Sequence, residues 1–513
     1  MKKCLILVLC LLLISTCSIF AAHSIIDPKQ DQVQVEETVL SGDVKAAEGL
    51  SVTTHIGASG HLFWDTCCKL GEDMETSTDF RFSHKEEHHF EYIDDQAIML
   101  EMENDFSAGG IIDYEGLNDA IKHVADNTGP SERHEETVDL KDYYDFFPLD
   151  VRIGMSHCFF DSTDPFYEEP DAQGILTTFN EFFRFPITGP YLQSVTVQKD
   201  MDGNIIELQV TSEDNACFYL ETISEVSKNN CWFTFKFQGD TRPGTGSIPG
   251  GYGIYCLPFS DAEEDDPNYS SYPIMVHPED LKNAYPLSEN AEVMDLYYSE
   301  KFDRLFLTTI EDGWHWVTVL DGSTGEELQR FKSMPEYPEG STDKGQTVES
   351  MTGSADDTGV YKCFYQKDLM VIMDINGRFA VIEIDEKGFL KQVLVTEPLT
   401  ELHAFALDPS TPQEEYRFDF SGQTGLAWDG EKLAVSSYIN KFHPMTGDAS
   451  YYMMDSCDFF VLVIDEEGLQ YAGIYDTSLD TGAESSYAYG WYGLDYYDLI
   501  VPLESTPVTV DWK

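Results

Sequence analysis

Basic residues are scarce in this chain. Its 513 residues include 31 lysines and arginines against 93 aspartates and glutamates, so the formal net charge is −62. A surface of this charge repels nucleic acids and anionic membranes, and we expect neither to bind through a basic patch. Three explanations of the acidity stay open: adaptation to salt, capture of cations, and a basic or neutral partner.

Cysteine is also sparse. The chain has 11 cysteines, of which eight follow residue 22. That number permits disulfides in an exported protein but is too small for a disulfide-dense scaffold, so a hydrophobic core must supply most of the stability. The adjacent Cys67 and Cys68 cannot bond each other without backbone strain. The eight are Cys67, Cys68, Cys158, Cys217, Cys231, Cys256, Cys363 and Cys457.

Sequence motifs of catalysis are missing as well. There is no G-x-S-x-G elbow and no cysteine in a nucleophile signature. The glycine-rich segment 239–253 lacks the Lys-Ser/Thr pair and the following helix of a phosphate loop, and we interpret it as a flexible loop. Carboxylate pairs that cleave glycosides are identified only by their separation in space. We therefore predict no catalytic and no cofactor-binding residue.

One pair of histidines matches a zinc motif. His84 and His88, with Glu87 between them, follow the H-x-x-E-H pattern, in which two histidines one helical turn apart bind zinc. Aromatic residues alternate on both sides, at 80–82 and 90–92, as they do in strands. This pattern predicts a polar hairpin loop, and we interpret the histidines as surface residues.

A second segment resembles a calcium loop. Asp200, Asp202 and Asn204 offer alternating oxygen ligands, but Gly203 comes too early for an EF-hand loop and no Glu stands at the last ligand position. A hairpin turn explains these residues fully. We predict no metal ligand in the chain.

The N-terminus predicts export. Lys2 and Lys3 precede an apolar run at 4–14 that is too short to span a bilayer, and small residues follow it. We assign residues 1–22 to an export signal and 23–50 to a polar tether.

Two cleavage sites compete in this signal. The segment from Ile14 to Cys17 resembles the lipobox of bacterial lipoproteins, in which the cysteine is acylated, although Thr16 departs from the usual Gly or Ala. Cleavage after Ala21 or Ala22 would release a soluble protein instead. We predict lipidation at Cys17 and an extracytoplasmic protein that is either membrane-anchored or secreted.

A short pattern recurs three times in the C-terminal half. An apolar β run enters a turn that Asp opens and Gly closes, a combination suited to a hairpin with a bulge. A further strand precedes each unit, at 304–310, 368–374 and 432–438, and Asn376-Gly377 joins two strands of the middle unit. The three turns are Asp321–Gly325, Asp385–Gly388 and Asp465–Gly468.

These units resemble blades of a β-propeller of the quinoprotein-like or WD-repeat-like kind, most closely at 319–331. The Trp-Asp and Gly-His signatures of WD repeats are absent, and the resemblance carries over no functional residue. Strands at 192–199, 205–211, 217–223 and 231–237 predict one more blade. We expect residues 51–513 to form an all-β propeller of about seven blades, with six to eight possible, and short helices near 115–125 and 278.

Aromatic residues suggest a binding surface. Tyr and Trp can stack on sugars or anchor a protein partner, or they can pack between blades. Trp314 and Trp316 flank His315, and a second group lies near the C-terminus: Tyr487, Tyr489, Trp491, Tyr492, Tyr496 and Tyr497.

The sequence thus predicts an exported, lipid-anchored and monomeric β-propeller that acts as a binding or scaffolding module at the cell surface, for an unknown protein or carbohydrate. The alternative is an extracellular propeller hydrolase or lyase that acts on carbohydrate. An enzyme should bring Asp, Glu or His side chains from several blades together with perturbed pKa values, whereas a binding module should not.

Overall fold

In the computed structural model the chain is an all-β protein. The structure describes residues 15–18, 20, 24, 30–58, 62–82, 98–103, 119–147, 150–155, 158–161, 177–187, 189–212, 219–238, 248, 250–261, 274–335, 361–374, 377–399, 416–418, 420, 423–444, 451–479, 500–502 and 506–513. Contacts group the chain into two compact units. Unit 1 is Met1–Tyr92, Pro338–Asp385 and Leu390–Lys513, and unit 2 is Ile93–Tyr337 and Glu386–Phe389.

Unit 1 contains three of the sheets. The first has strand order β1-β28-β27-β26-β24, with β25 also paired to β26: β1 (Val35–Gly42), β24 (Tyr416–Phe418), β25 (Gly425–Trp428), β26 (Leu433–Pro444), β27 (Tyr451–Asp465) and β28 (Gly468–Thr477). The second has order β29-β2-β3-β4, with β30 also paired to β2: β2 (Leu50–Ala58), β3 (Leu62–Lys69), β4 (Glu75–Phe82), β29 (Ile500–Pro502) and β30 (Thr509–Trp512). The third is β20 (Tyr361–Gln366), β21 (Leu369–Asp374), β22 (Phe379–Ile384) and β23 (Leu390–Val395).

Unit 2 contains the other four sheets. Two have three strands each: β5 (Ile98–Glu103), β7 (Asp150–Met155) and β8 (Cys158–Asp161); and β6 (Arg133–Asp139), β9 (Leu192–Lys199) and β10 (Ile205–Ser212). A five-stranded sheet has β11 (Tyr219–Val226), β12 (Asn230–Gln238), β13 (Gly253–Asp261), β14 (Ile274–Val276) and β15 (Lys282–Pro286). The last is β16 (Glu292–Ser299), β17 (Arg304–Glu311), β18 (Trp314–Asp321) and β19 (Glu327–Pro335).

Within the described residues, every strand pairing is antiparallel. Seven antiparallel sheets, most of them meanders of consecutive strands, confirm the prediction of a multi-blade β-propeller class of fold. Helices are few and short. The described ranges hold the α-helix α1 (Asp119–Asn127), further α-helical residues at 15–18 and 177–182, and turns of 3-10 helix at Val44–Ala47, Leu140–Asp142 and Pro278–Asp280.

The sequence patterns explain these strands. The three turns that open with Asp and close with Gly follow β18, β22 and β27, and each strand predicted before them is present as β17, β21 or β26. In the first turn the Asp321 carboxylate accepts the backbone N–H groups of Ser323 and Thr324, and Gly325 has φ +76°. This is the turn chemistry that the sequence predicted.

Two predicted boundaries differ from the structure. The segments 192–211 and 217–237 were expected to share one blade, but β9 pairs with β10 on one side and with β6 on the other, while β11 and β12 begin another sheet. The long separation of β6 from β9 hid that pairing, because hairpin signals report only neighbouring strands. The predicted tether 23–50 contributes β1 to the fold, and β1 pairs with β28.

In unit 1, strands near the start of the described chain pair with strands near its end. β1 pairs along its length with β28, and β30 pairs with β2, so each sheet combines strands that are remote in sequence. Glu37 fixes β1 further, because the buried hydroxyls of Tyr471 and Tyr475 both donate to its Oε1, at 2.5 and 3.2 Å. Unit 1 has two hydrophobic clusters and unit 2 has one large cluster that is rich in phenylalanine.

Candidate functional site

An interruption in the sheet of β2 marks the candidate site in unit 1. β30 pairs with β2 only as far as Thr53, and β29 pairs with β2 only from Ile56 onward. Among the described strands, Thr54 and His55 therefore lie at a gap between β29 and β30. Backbone groups at such a gap need other partners, because an unsatisfied N–H or C=O in a partly buried place is costly.

Tyr438 fills this gap. Its hydroxyl accepts the N–H of His55 at 2.9 Å and donates to the carbonyl oxygen of the same residue, also at 2.9 Å. The backbone polar groups of His55 consequently point away from β3. On the β3 side, His55 and Asp65 are opposite each other in register. They form a non-hydrogen-bonded pair, in which side chains approach most closely.

The side chains of three strands form a hydrogen-bonded chain here, which we call the His55 relay: Asp65, His55 and Thr509. Nδ1 of His55 lies 2.8 Å from Oδ1 of Asp65, and Nε2 lies 3.0 Å from Oγ1 of Thr509. The His55 side chain is 17% exposed and that of Asp65 is 36% exposed. The relay is therefore partly exposed to solvent.

The hydrogen-bonding capacity of each group fixes the direction of the relay. An ionised carboxylate only accepts, so Nδ1 of His55 must carry the hydrogen that Asp65 receives. In neutral imidazole the other nitrogen is then an acceptor, and the Thr509 hydroxyl donates to it. A hydroxyl bonded to a base that a third group orients is the arrangement of an activated nucleophile.

Neighbouring contacts hold β30 in place for Thr509. The N–H of Val508 donates to the carbonyl oxygen of Gln423 at 2.9 Å, and the Val508 side chain is fully buried. Gly425 makes this approach possible, because an added Cβ would overlap the Val508 carbonyl oxygen. The Thr509 hydroxyl is thus presented from an anchored backbone.

A separate acidic group stands out in unit 2. Burial raises the pKa of Glu225 on β11 to about 7, and the nearby charge of Asp295 on β16 adds to the shift. The N–H of Tyr298 donates to Glu225 and opposes it. β16 has a bulge between Val293 and Asp295, and β11 contacts β16. Two carboxyl groups from successive sheets of unit 2 thus interact through their charges.

The predicted turn at 200–204 is confirmed. The Asp200 carboxylate accepts the N–H groups of Asp202 and Asn204 at 2.9 and 2.8 Å, and Gly203 has φ +89°. These bonds lower the pKa of Asp200, the side-chain amide of Asn204 most strongly. Over the described part of the chain, His, Cys, Asp and Glu side chains form no group of three that could hold a metal ion.

Other predicted residues have mixed outcomes. His84, Glu87, His88, the glycine-rich residues 239–247 and the aromatic group at 487–497 lie outside the described residues. Cys17 is an exposed free thiol, and four cysteines of the fold are also free: Cys67, Cys68, Cys231 and Cys256. No helix within the described ranges is both long and apolar enough to cross a membrane.

The tryptophan pair is engaged within its own sheet. The Arg330 guanidinium lies 4.5 Å from the ring centroid of Trp316, and the Lys332 ammonium lies 4.8 Å from that of Trp314. Arg330 also pairs with Glu311 at 2.6 Å. Because cations already cover a face of each ring, these tryptophans are poor stacking platforms for a sugar.

Sequence reasoning missed the His55 relay. His55 and Asp65 are separated by 10 residues, and His55 and Thr509 by 454 residues, so no local motif joins them. The available signal was the alternation of apolar and polar residues around His55 and Asp65, which is typical of strands. A hairpin of two such strands would place the two residues opposite each other.

Comparisons with known proteins assign no family. No protein-family model matches the chain, and no curated protein matches it. Among solved structures, a periplasmic gluconolactonase of Pseudomonas aeruginosa has TM-score 0.24 at 10% identity, covering 83% of this chain and 99% of that one. A post-proline cleaving enzyme from Rickettsia typhi has TM-score 0.22 at 8% identity, covering 85% and 50%. A Lactobacillus plantarum protein has TM-score 0.21 at 9% identity, covering 52% and 66%. Likenesses this distant assign no activity to the chain.

Proposed function

We propose that the protein is an extracytoplasmic hydrolase that cleaves an acyl bond with the His55 relay. The observation that carries the proposal is the continuous chain of hydrogen bonds from Asp65 through His55 to Thr509, with distances of 2.8 and 3.0 Å. It contains the three roles of nucleophilic hydrolysis: a hydroxyl, a base and a group that orients the base.

The reaction uses each atom of the relay. Thr509 Oγ1 attacks the acyl carbon while its proton moves to Nε2 of His55. The bond to the leaving alkoxide breaks, and that oxygen takes the proton from Nε2. Water then attacks the acyl carbon of the acyl-Thr509 ester and gives a proton to Nε2 of His55. The bond from that carbon to Oγ1 breaks, Oγ1 takes the proton back from Nε2, and the carboxylic acid is released. Asp65 accepts from Nδ1 throughout and stabilises the transient imidazolium.

A fluorophosphonate probe tests the proposal directly. Oγ1 of an activated hydroxyl bonds to phosphorus as fluoride leaves, and mass spectrometry locates the adduct. We expect the adduct on Thr509, with no adduct in Thr509→Val and a rate at least about 100-fold lower in His55→Gln. Asp65→Asn should also label slowly, because the imidazole loses its orienting partner.

A matched control comes from the same sheet. Thr78 on β4 bonds the hydroxyl of Thr66 at 3.0 Å and takes no part in the relay, so Thr78→Val should label at the wild-type rate. An ordinary cross-strand contact at His55 would leave Thr509 unlabelled in the wild-type protein, and that result would refute the hydrolase.

The same proposal includes export and an anchor at Cys17. The support is the lysine-apolar-small pattern of the first 22 residues together with the exposed thiol of Cys17. Mass spectrometry of the mature N-terminal peptide from the native host should show a diacylglyceryl group on Cys17. A peptide that begins after Ala21 or Ala22 would mean that the protein is released instead.

A binding or scaffolding role is the second candidate. The observation in its favour is apolar exposure at the β9–β10 hairpin, where Met201 is 85% exposed and Ile206 is 52% exposed. Complementation of a deletion strain separates the two functions. A binding module keeps its activity in His55→Gln and loses it in the double variant Met201→Lys, Ile206→Lys, whereas a hydrolase gives the opposite pattern.

A further inference from the structure

The backbone of His55 is held by a residue from another sheet. Tyr438 lies on β26, next to a bulge between Tyr438 and Asn440, and its hydroxyl makes two bonds of 2.9 Å to the N–H and C=O of His55. Bulges redirect side chains away from the regular ladder, and they occur often beside active sites. One hydroxyl, a donor and an acceptor at once, here satisfies both backbone polar groups of His55.

We propose that Tyr438 is a positioning residue for the His55 relay. This inference rests on the proposed function, because it concerns the same reaction. The hydroxyl of Tyr438 bonds the backbone of the residue that carries the base, so Tyr438 acts through His55. By holding the N–H and C=O of His55 in the gap, it keeps the imidazole between Asp65 and Thr509.

Burial protects the two hydrogen bonds between Tyr438 and His55 from water. Tyr438 is 2% exposed, so water cannot easily take over its bonds to His55. Burial also raises the pKa of the phenol well above its ordinary value, which keeps the hydroxyl protonated and able to donate. The phenol hydroxyl is therefore able to donate to and accept from the His55 backbone at the same time.

Loss of the hydroxyl should misplace the base. In Tyr438→Phe the N–H and C=O of His55 lose their partner, and β2 must relax at the gap to find another. Displacement of a catalytic group by about 1 Å can lower a rate by about 100-fold. We expect the rate of fluorophosphonate labelling of Thr509 to fall at least about 10-fold in folded Tyr438→Phe.

Tyr471→Phe is the matched control. Tyr471 is also a fully buried tyrosine of unit 1, and its hydroxyl bonds Glu37 and Tyr475 rather than the relay. Both variants lose a buried hydroxyl and some thermal stability, but Tyr471→Phe should label at the wild-type rate. A purely structural role for Tyr438 predicts equal rates in the two variants, within about twofold, and that result would overturn the inference.

A second readout uses the wild-type protein, so it does not depend on a variant that folds. The amide of His55 should exchange slowly with deuterium, because a buried hydroxyl accepts it. Fast exchange at His55 would contradict the inference. Failure of the hydrolase is distinguishable from both results: then the wild-type protein itself gives no adduct on Thr509, whatever happens in Tyr438→Phe.

Discussion

A buried carboxyl group is costly to ionise, and Glu225 of unit 2 bears this cost. Below pH 4.5 the group is protonated in the folded and the unfolded chain alike. Between 4.5 and about 7 the unfolded chain releases the proton first, so the free energy of unfolding falls as the pH rises. The loss is complete above about pH 7. Its size is at most about 3 kcal/mol.

Glu225→Gln should remove this pH dependence. The amide cannot ionise, so we expect the variant to unfold at a higher temperature than the wild-type protein at pH 8 and at a similar temperature near pH 4.5. Thermal unfolding followed by circular dichroism at both pH values measures the difference. Glu326→Gln, at an exposed position in unit 2, is the control and should change neither midpoint. A lower midpoint for Glu225→Gln at pH 8 would mean that the ionised carboxylate stabilises the fold.

The residues of the relay show where sequence reasoning stops. Turn residues such as Asp200 and Gly203 were predictable because their partners lie within four positions in the chain. Thr509 was not predictable, because its role depends on a strand pairing across more than 400 residues. Tyr438 was not predictable for a further reason. Its hydroxyl bonds backbone groups, which every residue type has, so the identity of its partner residue gives no signal in the sequence.

At the scale of elements, the recurring turns hold neighbouring sheets together. An added Cβ at Gly325 would lie 3.0 Å from the ring of Trp232, which belongs to the sheet before it in the chain. The Trp232 indole also donates to the carbonyl oxygen of Gly322. An added Cβ at Gly468 would likewise lie 3.5 Å from the side chain of Leu399, which follows β23 in the chain. The sequence predicted that these turns close hairpins. Their contacts with residues outside the hairpin could not be predicted, because those contacts depend on how the sheets are arranged.

Gly42, at the end of β1, allows a test of how much the pairing of β1 with β28 contributes to stability. Gly42 has φ +78°, and an added Cβ would overlap the carbonyl oxygen of Gln470. We expect Gly42→Ala to lower the free energy of unfolding by about 2 kcal/mol or more, from left-handed strain plus displacement of β1. Denaturant titration measures the change.

Gly313→Ala separates the two causes. Gly313 has nearly the same φ, +75°, but an added Cβ there would meet nothing within 4 Å. Only the conformational cost of about 1 kcal/mol should appear. Equal destabilisation of the two variants would show that β1 does not pack closely against β28.

At the scale of the whole molecule, the large negative net charge affects the stability of the folded state. A net charge of −62 favours solubility but destabilises the compact state through self-repulsion. Salt shortens the range of that repulsion, from about 10 Å at 0.1 M to about 3 Å at 1 M. We expect the midpoint of thermal unfolding to rise steadily with NaCl. A midpoint that falls would contradict this account.

The identity of the cation then distinguishes screening from capture. At equal ionic strength, screening gives the same midpoint in NaCl and in choline chloride. Specific capture of a metal cation stabilises the folded state further as that ion is added, because the ion binds the folded chain preferentially. The comparison resolves two of the three explanations that the composition leaves open.

The pairing of early strands with late strands in unit 1 also determines when its sheets can be completed during synthesis. Glu37 meets Tyr471 across 434 positions, and His55 meets Thr509 across 454. At about 5 to 20 residues per second, β1 and β2 wait roughly 20 to 90 s for their partners to be made. Two sheets of unit 1 therefore stay incomplete for that time. The contact between His55 and Thr509 can form only after β30 has been made, so the relay is among the last parts of unit 1 to assemble.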